Sequence, residues 1–118
     1  MAVNRVKILW KNSIIETNIK NTLKLYVNNA TFKGTYMVKG SKGKENIENY
    51  FKKFSPIVND IKFKSDEITV RTGNIINEIG SYKFYTTKGV IDAQYNFVFL
   101  VKNEEAKILS HFSTLFIK

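Results

Sequence analysis

The sequence predicts an α+β fold in which helices from the first half pack against a long, curved antiparallel sheet built by the second half. Three observations carry this. Up to about position 54, apolar residues recur at three- and four-residue steps, the repeat of an amphipathic helix. From Ile61 onward apolar and polar residues alternate, the period of a half-buried strand. Only short turns separate the alternating runs, as at Thr72-Gly73-Asn74, Lys88-Gly89 and Asn103-Glu104-Glu105. Short turns join antiparallel neighbours, whereas parallel strands need a crossover.

Taken in order, Val3 to about Ile15 carries Val6, Leu9, Trp10 and Ile14 on one helical face. Glu16-Thr17-Asn18 interrupts it with residues that favour turns and N-caps. A second short helix places Ile19, Leu23 and Tyr26 on one side and is expected to end at Asn28-Asn29. Ala30 to Val38 reads as a short hairpin around Gly34, and Gly40-Ser41-Lys42-Gly43 as a plain loop. A third helix over 44–54 presents Ile47, Tyr50, Phe51 and Phe54. Ser55-Pro56 stops it, because a residue before proline avoids helical angles. Strands are then expected at 61–64, 68–71, 75–87, 90–101 and 107–117, with Gly80 as a candidate bulge where the facing residues switch phase. A sheet this long, fronted by helices, curls into a cone-shaped roll with one mouth.

Composition removes several classes of function. With 118 residues and no proline beyond Pro56, nothing marks a linker or boundary, so one domain over 1–118 is expected. The absence of cysteine excludes disulfides, thiolate metal sites and a cysteine nucleophile. A single histidine, His111, argues against a histidine-based zinc site, and no metal or cofactor is expected. Residues 1–10 interleave charges with apolar groups, unlike a signal peptide. No run approaches the roughly 18 apolar residues of a bilayer span, which points to an intracellular protein. The net charge of +9 raises the alternative of a nucleic-acid binder. Against it, only Arg5 and Arg71 of the 19 basic residues are arginine, and the lysines are spread along the whole chain. Specific nucleic-acid readers draw on arginine for forked contacts and stacking.

The 90–101 strand carries the most information. Ile91, Ala93, Tyr95, Phe97 and Phe99 share one face, suited to a core under the helices. The opposite face holds Asp92, Gln94, Asn96, Val98 and Leu100, a mixture of hydrogen-bonding and apolar groups. A sheet face of that kind pairs with a second subunit, so Gln94, Asn96, Val98 and Leu100 are expected at a homodimer interface.

Several short motifs stand in order over residues 6–116: Trp10, Leu25-Tyr26, Ile47 with Tyr50-Phe51, Gly80-Ser81-Tyr82-Lys83-Phe84, Ala93 to Phe99, and Ile108 with His111-Phe112-Ser113-Thr114. The series resembles the nuclear transport factor 2-like superfamily, cystatin-like in plan, a cone of helices wrapped by a bent sheet. Within it, the series is most similar to the SnoaL-like proteins grouped with the association domain of calcium/calmodulin-dependent kinase II. The group's strand arginine is here Gln94, its late tryptophan is Ala106, and the second member of its histidine pair is Phe112. The resemblance implies a cone in which some relatives bind small molecules. Others are enzymes such as ketosteroid isomerases, dehydratases and polyketide cyclases.

Two kinds of role follow. Trp10, Tyr26, Phe51, Tyr82, Tyr95, Phe97 and His111 could line a ligand cavity, or simply fill the core. His111, whose unperturbed pKa lies near neutrality, is the candidate acid/base of an isomerase, dehydratase or cyclase; the alternative is a structural strand histidine. Asp92 starts its strand on the face opposite Tyr95 and is expected at the surface. Asp60, Asp66, Glu67 and Glu78 are expected to pair on the surface too. Tyr36, Arg71 and Lys83 could rim the mouth and attract an anion. With no carboxylate placed inward, the leading expectation is a non-catalytic domain that dimerises through its sheet and holds a small ligand in its cone.

Overall fold

The structure is a computed structural model and describes residues 2–116. Helix α1 (Ala2–Ile15) lays Val3, Val6, Trp10, Ser13 and Ile14 against the sheet. Leu9, expected on that face, is 47% exposed; the helix rolls so that Trp10 enters the core. Thr17 takes a left-handed backbone (φ 55°), and Asn18 then caps α2 (Ile19–Lys24) by accepting the Asn21 N–H at 3.1 Å. A hydroxyl pair, Ser13 Oγ and Thr22 Oγ1 at 2.7 Å, ties the two helices together in the interior.

The second helix is shorter than its apolar spacing predicts. It stops at Lys24, and Tyr26 opens strand β1 (Tyr26–Lys33), so Tyr26 is a strand residue and Asn28-Asn29 do not end a helix. The reason is tertiary: β1 runs parallel to β7 (Glu105–Leu115), which pairs Tyr26 with Ile108 and Phe32 with His111. Backbone pairing along a buried strand outweighs the modest helical preference of a few residues. A turn from Gly34 to Met37 follows, and the chain returns only as the two-residue β2 (Ser41–Lys42), inside the stretch expected to be plain loop. Gly34 is obligatory here, because a Cβ would lie 2.3 Å from the Tyr50 ring.

Helix α3 (Lys44–Phe54) buries Ile47, Phe51 and Phe54 and ends before Pro56, but Ser55 keeps helical angles (φ −54°, ψ −42°), so the chain passes into a single 3₁₀ turn over Ser55–Ile57 rather than breaking at the residue before proline. Strands β3 (Val58–Phe63), β4 (Ile68–Thr72), β5 (Ile75–Thr86) and β6 (Gly89–Lys102) complete the sheet with β7. The order is β2-β1-β7-β6-β5-β3, with β4 on the other half of β5. The sheet is therefore mixed, since β1 joins β7 in parallel, although β5, β6 and β7 form the antiparallel meander the short turns predict. Residue 117, expected to close the last strand, lies outside the described residues.

Gly80 is not a bulge. β5 pairs with β6 without a break from Ile75↔Leu100 to Thr86↔Gly89, so residues 76, 78, 80, 82 and 84 all face the helices. Glycine is needed because a Cβ there would lie 2.6 Å from the Tyr95 hydroxyl. Within the meander the register shifts instead on the β6–β7 ladder, between Val98 and Phe99.

Candidate functional site

The concave side of the sheet and the inner faces of α1 and α3 enclose the aromatic cluster that the sequence marks. Trp10 descends from α1 and stacks on Tyr82 (5.8 Å, 6° between planes), edge-on to Phe97 at 5.7 Å and to His111 at 5.4 Å. Phe97 stacks on His111 at 4.0 Å. All seven residues expected to line a cavity are buried and lie in one cluster. They also fill it: the free space beside Trp10, Phe32, Thr35 and His111 is about 10 Å³. That is the room of a single water, not of an organic ligand.

A hydrogen-bond chain runs through the cluster. Trp10 Nε1–H donates to Tyr26 Oη (3.0 Å), which lies 2.9 Å from His111 Nδ1. On the other side His111 Nε2 is 3.1 Å from Tyr82 Oη. Tyr82 in turn donates to Ser113 Oγ (2.7 Å), itself 2.7 Å from Thr35 Oγ1. The indole can only donate and Tyr82 spends its proton on Ser113. One arrangement therefore satisfies every member: Tyr26 donates to Nδ1, and Nε2–H donates to Tyr82. His111 is a neutral imidazole in this arrangement. A second ring proton would leave the Tyr26 hydroxyl hydrogen without an acceptor in a buried site. Burial pushes the His111 pKa from 6.5 down to about 3. Burial also raises Tyr26 and Tyr82 well above the usual tyrosine range.

One carboxylate does face inward. Glu78, expected at the surface, is 4% exposed. It ion-pairs with Lys7 Nζ at 2.8 Å and accepts from Tyr95 Oη at 2.8 Å. Lys7 also sits over the Phe63 ring at 4.7 Å. Glu78 keeps the phase of Ile76, Tyr82 and Phe84, so unbroken even-number alternation in β5 was the signal for it; a phase switch at Gly80 hides it. Tyr95 thus turns its hydroxyl away from His111. With its charge matched by Lys7 and one oxygen bound by Tyr95, Glu78 is a satisfied structural group.

Asp60, Asp66 and Glu67 are exposed, as the sequence places them, whereas Asp92, expected at the surface, is half-buried with Oδ1 shut off from solvent. Asp92 is near Lys64 (3.5 Å) and Lys83 (3.9 Å), and Asp60 near Lys11 (3.6 Å). Asp66 accepts from the Ser81 hydroxyl and from Ser81 N–H, and the Ser81 hydroxyl holds its carboxyl below the ordinary value. Tyr36, Arg71 and Lys83 do not share a rim. Arg71 bonds the Gly73 carbonyl at 3.0 Å, Lys83 belongs to the Asp92 pair, and Tyr36 alone stands at the mouth. Among the described residues no group of His, Asp or Glu side chains is placed to hold a metal ion. No helix of the described residues is long and apolar enough to cross a membrane.

Two open surfaces flank the closed cone. At the mouth, a cavity of about 600 Å³ lies between α3, the β5–β6 hairpin and the Gly34–Met37 turn. On the convex side of the sheet, cross-strand register aligns Ile68, Ile79, Asn96 and Phe112 in one row and Val70, Asn77, Val98 and Ser110 in the next. Ile68, Val70, Ile79 and Phe112 are all exposed, and Asn96 Oδ1 has no hydrogen-bond partner although it is shut off from solvent. Gln94 is exposed, while Asn96, Val98 and Leu100 are half-buried on this face.

A helix-fronted, curved, open mixed sheet of this order is the nuclear transport factor 2-like fold. Solved structures of that class superpose on nearly the whole chain. A candidate dehydratase of the class from Streptomyces avermitilis has a TM-score of 0.83 at 11% identity, covering 99% of this chain and 95% of its own. A candidate calcium/calmodulin-dependent protein kinase II association domain from Xanthomonas campestris has a TM-score of 0.78 at 20% identity, covering 98% and 86%. A protein of this fold and unknown function from Shewanella oneidensis MR-1 has a TM-score of 0.79 at 13% identity, covering 96% of each chain. By sequence, no family profile and no protein of curated function matches. At these identities the likeness establishes the fold, and function has to be argued from the side chains.

Proposed function

We propose that this protein is a non-catalytic domain of the nuclear transport factor 2-like fold that assembles as a homodimer through the convex face of its sheet. One observation carries the non-catalytic part. The His111 side chain, the only candidate acid/base, has both ring nitrogens engaged by buried tyrosines in a cone with about 10 Å³ of free space. A general base needs a proton to abstract within hydrogen-bond reach, and there is no place for the substrate that would carry it. The inward Glu78 is neutralised by Lys7 and likewise touches no cavity that could hold a substrate.

Register and exposure support the dimer. Rows of apolar side chains alternate with Asn77, Asn96 and Ser110 across β4 to β7, a pattern that a second copy related by a two-fold axis can meet with its own. Light scattering at high micromolar concentration tests this directly. Twice the chain mass is expected for the wild type and a single chain mass for Ile79→Lys; a wild-type monomer would remove the dimer.

A further inference from the structure

We propose that the mouth cavity is a binding site for an amphipathic organic carboxylate, with the apolar body lying against α3 and the anionic group held between Lys53 and Lys88. The proposal goes beyond the dimeric, non-catalytic reading and does not depend on it.

The site is built from a stripe of α3 that the core does not use. Ile47, Phe51 and Phe54 point inward, leaving Asn46, Asn49, Tyr50 and Lys53, at helical spacing, to face the cavity. The β5–β6 hairpin brings Thr86, Lys88 and Ile91 opposite, and Ile57 closes the floor. Tyr36, standing edge-on to Phe54 at 6.3 Å and 56% exposed, forms an aromatic wall. A concave, mainly apolar volume of about 600 Å³ with a few convergent polar groups is the ordinary make-up of a small-molecule site.

Charge selects the ligand class. No acidic residue lines the cavity, and neither Lys53 nor Lys88 has an acidic partner within salt-bridge distance among the described residues. By contrast the lysine one position earlier on α3, Lys52, pairs with Glu48 at 3.4 Å. Two uncompensated ammonium groups and two asparagine amides suit an anion with hydrogen-bond acceptors.

Tyr50 sits at the junction of the mouth and the filled cone. Its hydroxyl is shut off from solvent beside Thr35 and the Tyr36 backbone, so what it offers a ligand is its ring.

The test uses 2-naphthoate and the matched neutral 2-naphthylmethanol, followed by amide chemical-shift mapping and calorimetry on the full chain. Naphthoate is expected to shift amides of residues 36–57 and 86–91, with the alcohol binding roughly tenfold more weakly. Lys53→Glu with Lys88→Glu should weaken naphthoate by at least about tenfold and leave the alcohol unchanged. Absence of shifts at about 10 mM naphthoate, shifts confined to the convex face, or equal affinities for acid and alcohol would overturn the proposal. Chain mass measured on the same samples reports on the dimer separately.

Discussion

The two faces of strands β5, β6 and β7 are made by neighbouring residues and have opposite characters. Phe97 is fully buried against His111, while the next residue, Val98, lies on a face where Ile79 and Phe112 stay open to solvent. On the concave face every ring is packed and the polar atoms from Trp10 to Thr35 are joined in one chain. On the convex face apolar groups lack cover and Asn96 lacks a partner. The fold is therefore spent inward on stability, and the surfaces that stay open are the convex sheet and the mouth. A buried histidine surrounded by tyrosines in a cone is not thereby a catalytic site; what decides is whether space and an unsatisfied group remain beside it.

This contrast can be broken most severely from the inside. Trp10→Ala removes the ring that touches Phe51, Tyr82, Phe97 and His111 and leaves the Tyr26 hydroxyl without its donor. A loss of about 4–5 kcal/mol is expected, enough to bring a domain of this size near its unfolding threshold, measured by urea denaturation.

The histidine gives the next largest effect, through pH. Its folded pKa of about 3 lies below the unfolded value of 6.5, so between those limits the unfolded chain binds the extra proton. The His111 contribution is fully present above pH 6.5 and is lost progressively as pH falls toward 3. It amounts to on the order of 5 kcal/mol in total, of which about 3 kcal/mol falls between pH 6.5 and pH 4. Thermal melts from pH 7 to pH 4 should show this decline, and His111→Phe, less stable at pH 7, should show a flatter one.

Breaking the buried ion pair comes third. Glu78→Gln leaves Lys7 charged and enclosed and should cost roughly 3 kcal/mol. Joining it with Lys7→Met should restore most of that loss, which a double-mutant cycle would register as coupling. The smallest effect belongs to the convex face. Ile79→Lys places a cation where the side chain is already 41% exposed. The stability of the isolated chain should move by less than about 0.5 kcal/mol while the dimer is lost.

Much of this architecture is legible in the sequence because alternation and helical spacing report burial directly. The inward set Ala93, Tyr95, Phe97 and Phe99, the three helices and the meander all follow from it. What escapes is tertiary. The parallel union of β1 with β7 links residues some eighty positions apart, and it converts Tyr26 from a helical residue into the strand residue that reaches His111. Likewise Gly80 resembles a bulge by composition but exists to admit the Tyr95 ring, and with that phase misread Glu78 turns outward on paper. The candidate cavity residues were legible as a set. Whether they surround space or one another depends on packing, which no periodicity records.

A single histidine makes the central claim open to one clean measurement: the ring ¹⁵N shifts of His111, followed by NMR from pH 7.5 to 4. A sealed, neutral core predicts one fixed tautomer with the proton on Nε2 and no titration across that range. A midpoint near 6.5, or fast averaging between tautomers, would mean that water or a ligand reaches the ring, and the closed cone would have to be abandoned.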